Sequence, residues 1–360
     1  MKSSKTSSRK QQHVEITLSK NVSFRGKTAG FERYEFVHNA LPELDFSEID
    51  PSTTFLGKPI SLPILISSMT GGYKDALRIN RGLAQVCAQK NIPLGVGSQR
   101  QALEDSTYHR SYSVVREVAP DIPVFGNIGA SEVARLKDAS PVKRLADLIQ
   151  ADGFAVHLNP LQEFLQPEGD PRFRGVLEGI AMLVKNLGVP VIVKEIGAGI
   201  SGSVARRLID AGVRIIDVAG SGGTSWAGVE ILRRNGLGKG RRKKYQRRDH
   251  APVFWDWGIP TVEALTHVAE MKTRTPGLSV IASGGLTSGL DVAKAIALGA
   301  AMTGVARPML KALEAGGTQG FIEELETWEM ELKGAMFLTG SRTIGDLGRQ
   351  TLVRYDRMHV

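Results

Sequence analysis

A single cysteine, Cys87, stands in 360 residues, so no disulfide can form within the chain. That suits a reducing compartment, and the expectation is a cytoplasmic protein. Cys87 sits in the helical pattern Leu83-Ala-Gln-Val-Cys-Ala, where a small core residue is expected rather than a nucleophile. No stretch approaches the roughly 18 consecutive apolar residues of a membrane span, and no signal-type apolar core follows the polar start. Acid is missing between residues 233 and 248, a stretch that holds nine Lys or Arg. Those nine equal the whole formal net charge of +9, so the rest of the chain is near neutral. Breakers at Asn235, Gly236, Gly238 and Gly240 mark the stretch as a solvated, mobile loop. Aromatic residues are sparse at 6%, and only Tyr245 interleaves with these cations, which argues against a nucleic-acid partner.

What the chain does have is alternation. Short apolar and β-branched runs occur at 63–66, 93–96, 123–125, 154–157, 189–194, 214–218, 278–282 and 301–305. Amphipathic helical patterns separate them, among them 73–90, 131–150 and 290–298. Eight strand–helix units in about 250 residues are the count of a (β/α)8 TIM barrel, an α/β fold with parallel strands. Gly188, Gly212 and Gly299 read as helix caps leading into strands. Residues 1–12, rich in Ser, Lys and Gln, read as a flexible basic arm. Residues 13–360 read as one barrel domain with an irregular N-terminal extension, a basic insertion at about 230–255 and one or two extra helices beyond Gly316. Gly197-Ala-Gly199-Ile-Ser-Gly202, with Asp217 following, matches a dinucleotide fingerprint. Similar units on both sides make it an internal barrel loop instead.

In a barrel the catalytic groups come from the C-terminal ends of several strands. Here those ends include Ser67-Ser-Met-Thr-Gly-Gly72, Gly95–Arg100, Gly126–Gly129, Lys194–Gly199 and Ala219–Thr224. Small residues and amides dominate them, which suits a large, flat, polar ligand approached closely by backbone. Ser283-Gly-Gly285 and Gly304–Arg307 follow strands seven and eight, where barrels commonly hold phosphate. Lys194 ends an apolar strand and is placed to stabilise negative charge on a ring system; the alternative is a core lysine paired with Glu195. The run His157-Leu-Asn-Pro-Leu-Gln-Glu163 delivers four polar groups from one strand end, as a catalytic mouth requires.

Several of these stretches carry a resemblance. They are Arg9-Lys10 with His13, Ser68-Met-Thr-Gly-Gly72, Gly97-Ser-Gln-Arg100, His157–Glu163, Gly223-Thr-Ser-Trp226, Asp256-Trp-Gly-Ile-Pro-Thr261 and Ala282-Ser-Gly-Gly285. On them the chain resembles the type 2, flavin-dependent isopentenyl-diphosphate isomerases, from residue 9 to about residue 307. The resemblance implies FMN held by Ser67, Ser68, Met69, Thr70, Ser98, Asn127, Lys194 and Thr224, with its phosphate on Gly284, Gly285, Leu286, Ala306 and Arg307. It implies a small-molecule diphosphate substrate gripped by Arg9, Lys10, Ser98, Gln99 and Arg100. His157, Asn159 and Gln162 would face that substrate, with Gln162 as the catalytic side chain beside the alkene. Glu163 is implied as the ligand of a Mg2+ that bridges to the diphosphate. NADPH is implied as the reductant of the flavin, and a homo-oligomer, tetrameric or larger, as the assembly. Thr287 stands where relatives carry Arg, which leaves one phosphate contact without its residue. The nearest rival, a 2-hydroxy-acid oxidase on the same barrel, needs a His base beside an Arg near the end of strand six; Ala219–Thr224 holds neither.

Overall fold

Short buried strands separated by helices satisfy their backbone groups by parallel pairing, and closing the sheet removes both edges. The computed structural model describes residues 5–237 and 250–355, and in it eight parallel strands form a closed barrel. In chain order these are β1 (Ile64–Ile66), β2 (Leu94–Gly95), β3 (Val124–Gly129), β4 (Gly153–His157), β5 (Val191–Lys194), β6 (Ile215–Asp217), β7 (Ser279–Ser283) and β8 (Met302–Val305). Sequence neighbours pair throughout, and Thr303–Val305 of β8 pairs with Ile64–Ile66 of β1 to close the ring. The (β/α)8 expectation holds. Gly188, Gly212 and Gly299 have φ of 89°, 93° and 101°, the left-handed conformation expected of such caps.

Two boundaries differ for identifiable reasons. Strand β3 runs to Gly129, so Asn127 is a strand residue and not a loop residue. The pattern at 131–150 is two helices, Ala130–Val133 and Ser140–Ile149. Pro141 lacks the N–H that a helix interior needs but is tolerated in a first turn, so a new helix starts there. The Asp138 carboxylate accepts the Ser140 N–H at 2.8 Å just before it.

Alternation along the strands sorts their side chains into two layers. Leu65, Phe125, Ala155, Ile192, Ile215, Ile281 and Met302 fill the lumen, while neighbours such as Ile64, Val156, Val193, Ile216 and Val280 pack outward under the helices. A hairpin, Thr53–Phe55 with Lys58–Ile60, adds Phe55 and Ile60 to the lumen layer. Leu56 at its turn lies against the start of β4, so it plugs the end opposite the strand C-termini. Burying each Leu, Ile, Phe or Met of this layer stabilises the fold by about 1.5–3 kcal/mol.

Three helices shape the mouth. α1 (Lys5–Ser19) runs without a break through residue 12, where the basic arm was expected to end; residues 1–4 lie outside the described part. α2 (Trp226–Leu237) leads into the basic insertion, and a 3-10 turn at Ala251–Phe254 leads out of it. Residues 238–249, most of the expected mobile loop, lie outside the described part. α3 (Arg307–Leu338) starts directly after β8 and kinks at Gly317, so the helix expected beyond Gly316 is its second half. Farther on, Leu352–Arg354 pairs antiparallel with Tyr34–Phe36. No described helix is long and apolar enough to cross a membrane.

Candidate active site

Two adjoining cavities open at the C-terminal ends of the strands. The larger, about 510 Å³, lies between the ends of β1, β5, β6, β7 and β8. Its walls need glycine: a Cβ on Gly284 would lie 2.2 Å from the Gly220 carbonyl oxygen, and one on Gly223 would lie 2.6 Å from the Gly285 nitrogen. Ser67 Oγ is buried there without a hydrogen-bond partner, an atom that a bound ligand would satisfy. Ala306 and Arg307 place the N-terminal end of α3 at the same cavity, with its unpaired backbone N–H groups suited to an anion. An elongated ligand ending in a phosphate, as FMN does, fits this donor set.

Of the residues expected to hold the cofactor, Ser67, Ser68, Met69, Lys194, Thr224, Gly284, Gly285, Leu286, Ala306 and Arg307 all line this cavity. Thr70, Ser98 and Asn127 line the smaller one. The Arg307 side chain has another task. Its Nε donates to Thr17 O at 2.9 Å, Nη2 to Lys20 O at 3.0 Å and Nη1 to Ser23 Oγ at 3.3 Å, so it fastens the C-terminal end of α1. Three of the five N–H donors of the guanidinium are thus committed to α1 and the segment that follows it. Thr287 lines the larger cavity too, but its N–H and hydroxyl both donate to Asp291, at 2.9 and 3.0 Å. Lys194 borders both cavities; its Nζ donates to the Glu195 carbonyl at 2.6 Å and lies 3.9 Å from Asp217. The Glu195 carboxylate instead accepts the N–H groups of Ile196, Gly197 and Ala198, which rules out the simple Lys194–Glu195 pair.

The smaller cavity, about 130 Å³, is polar and cationic. Arg9 and Lys10 reach it from α1, Arg100 from the turn after β2, and His157, Asn159, Gln162 and Glu163 from the end of β4. His157 Nδ1 meets Asn127 Oδ1 at 2.8 Å; an amide oxygen only accepts, so Nδ1 carries the proton and Nε2 keeps its lone pair. Burial, reinforced by Lys194, Lys10 and Arg9, lowers its pKa to about 3, so the ring is neutral. Glu163 is buried, with Oε1 accepting from Asn159 Nδ2 at 3.0 Å and Oε2 from the Asp170 N–H at 2.6 Å. Lys10 Nζ donates to Gly71 O, Ser98 O and Tyr112 OH at 2.8, 2.5 and 2.8 Å. Gln99 is not in the site: fully buried, it donates to the Leu145 carbonyl and accepts the Asn127 N–H, which ties the segment after β2 to β3 and to the helix Ser140–Ile149.

Several site residues escaped the sequence reading. Glu132 forms an ion pair with Arg100 at 3.0 Å inside the smaller cavity, and burial raises its pKa in spite of that partner. Glu230, fully buried on α2, accepts from Gln162 Nε2 at 3.1 Å and meets His13 Nε2 at 2.8 Å. Arg233, expected on a solvated loop, is 4% exposed and bonded to Glu230 and Glu168. Tyr112 donates to Ser98 O at 2.9 Å, and its ring would collide with any Cβ on Gly71. The one available signal was the Glu230–Arg233 helical spacing; the partners are far off in sequence. Among the described residues no group of three or more His, Cys, Asp or Glu could hold a metal, and Glu163 shares the smaller cavity with one other carboxylate, Glu132.

A parallel barrel with a glycine-walled, phosphate-suited cavity opening into a cationic pocket defines a flavin-type barrel enzyme. The model of the FMN-dependent dehydrogenase family matches residues 3–115 and 121–354. The isopentenyl-diphosphate delta-isomerase of Pelodictyon phaeoclathratiforme is 50% identical over 354 residues, covering 97% of this chain and 98% of that protein. The one from Pseudescherichia vulneris is 46% identical over 99% of both. The chain belongs to the flavin-dependent isopentenyl-diphosphate delta-isomerases, a branch of the FMN-dependent dehydrogenase family. Solved structures share the fold at lower identity. A mandelate oxidase with a monooxide FMN adduct superposes with a TM-score of 0.64 at 20% identity, over 94% of this chain and 95% of that one. A lactate oxidase from Pediococcus acidilactici superposes with a TM-score of 0.67 at 18% identity, over 97% and 94%.

Proposed function

We propose that this chain interconverts isopentenyl diphosphate and dimethylallyl diphosphate, with reduced FMN as its cofactor. One observation carries the reading. A flavin-suited cavity meets a pocket furnished by His157, Asn159, Gln162 and Glu163, in a chain 50% identical to a relative named for that reaction. The reaction adds a proton at one carbon and removes one at another, on an alkene with no activating carbonyl. Reduced FMN, when bound, supplies that acid–base chemistry. Arg9, Lys10 and Arg100 bring positive charge to the diphosphate. Gln162 has its oxygen held by Asn159 and its nitrogen by Glu230, so its amide has one orientation against the reacting carbon chain. Lys194 stabilises negative charge on the flavin, and α1 keeps water out of the pocket. Glu163 would hold Mg2+ through its carboxylate, and the ion would supply positive charge to the diphosphate. NADPH as reductant and homo-oligomeric assembly rest on the family resemblance, and cytoplasmic residence on the single cysteine. An isomerisation assay with FMN, Mg2+ and NADPH, each omitted in turn, tests the reading. Loss of turnover without FMN is expected; turnover that persists without it overturns the proposal.

A further inference from the structure

We propose that Glu168 and Arg233 are positioning residues that lock Glu230, and through it the Gln162 amide, in the orientation the isomerisation uses. The inference rests on the function proposed above. Glu230 has no access to water, so its two oxygens depend on protein partners. Oε1 takes Gln162 Nε2 and His13 Nε2, while Oε2 takes Arg233 Nε at 2.8 Å. Arg233 stands one turn along α2, itself almost wholly buried. Its remaining nitrogens close a two-point bond on Glu168 at 2.8 and 2.9 Å.

Glu168 returns the path to its origin. It lies in the loop that follows Pro160–Leu165, the short helix carrying Gln162 and Glu163. That loop is tied back by the Asp170 N–H on Glu163, and at Gly169 a Cβ would lie 2.0 Å from the Glu163 carbonyl oxygen. The result is a closed ring: Gln162 to Glu230, to Arg233, to Glu168, and back along the chain to Gln162. A rotated Glu230, or one that carries a proton on Oε1, would take that acceptor from Gln162 Nε2 and let the amide turn over, which exchanges donor and acceptor. Charged and titratable groups facing Glu230 are His13 and Arg9 from α1 and Arg233 from its own helix. His13 and Arg233 hold Glu230 ionised against the cost of burial. The basic stretch thus begins with a residue that works inward.

The test compares the FMN-loaded parent with R233M, R233K and E168Q, measuring kcat, KM, FMN content and the pH dependence of kcat. R233M should lower kcat by about tenfold or more with KM and FMN content near parental values. It should also acquire an acidic limb that the parent lacks, because Glu230 takes a proton more readily once the Arg233 charge is gone. R233K should recover part of kcat. Glu168 is 39% exposed, so E168Q folds whether or not R233M does, and it should show the same limb with a smaller fall. A parental kcat profile in folded R233M, or in E168Q alone, overturns the inference, as does a rise confined to KM. Independently of turnover, the Gln162 side-chain amide protons should exchange at least about tenfold faster in E168Q than in the parent. Absence of turnover in the parent would instead overturn the proposed function, and the exchange measurement would still decide this one.

Discussion

Lys10 shows how far a single side chain can be driven by its surroundings. Burial, with Arg9 next to it, lowers its pKa from 10.5 to about 7. Between those two values the unfolded chain carries a proton on this lysine that the folded chain has released, so folding stability rises with pH across that window. A Lys10→Met variant should lose that rise, as denaturant titrations at pH 7 and pH 10 would show. A bound diphosphate favours the charged form, so binding near pH 8 should take up a proton at Lys10. Calorimetry with inorganic pyrophosphate in buffers of different ionisation enthalpy measures this, taken as parent minus Lys10→Met. Equal proton uptake in both would remove Lys10 from the anion site. His157 makes the opposite prediction. With its pKa near 3, its ring resonances should not titrate between pH 5 and 8, and a midpoint near neutrality would contradict the pocket described.

At the scale of elements, Arg307 links two of them. Its donations to Thr17 O and Lys20 O at the end of α1, and to Ser23 in the segment beyond, predict that Arg307→Met loosens that helix by about 1–3 kcal/mol of local stability, read as faster hydrogen exchange over residues 8–19. With the FMN phosphate proposed on the backbone N–H groups at the start of α3, FMN affinity should change little. A large affinity loss with unchanged exchange would reverse that assignment. At the other end of the barrel, Phe55→Ala should cost about 3–5 kcal/mol in unfolding free energy while KM stays near parental. The strands were legible because β-branched runs bounded by glycine and proline have few other uses. So was the end of β4, where His157, Asn159, Gln162 and Glu163 arrive together. The helix break before Pro141 was legible in principle, since that residue announces a first turn. The Gln99 side chain was not: nothing near position 99 tells which amide of a turn faces the ligand and which faces Leu145. Nor was the burial of Arg233, because a basic stretch looks solvated until Glu230 and Glu168 are set beside it.

For the whole molecule, the cavity proposed for FMN draws its wall from the ends of five strands, so bound cofactor should stabilise the barrel as a unit. At about a hundredfold excess over its dissociation constant, FMN should add about 2.7 kcal/mol, visible as a melting transition shifted up by a few degrees. An unchanged transition at saturating FMN would argue against this cavity as the site. The antiparallel ribbon between Tyr34–Phe36 and Leu352–Arg354 has a consequence in time. Residues 34–36 leave the ribosome roughly 320 residues before their partners exist. At about 5–20 residues per second, that strand waits on the order of tens of seconds unpaired. During synthesis the barrel wall can therefore assemble before its outermost fastening, and the ribbon is a knot tied last.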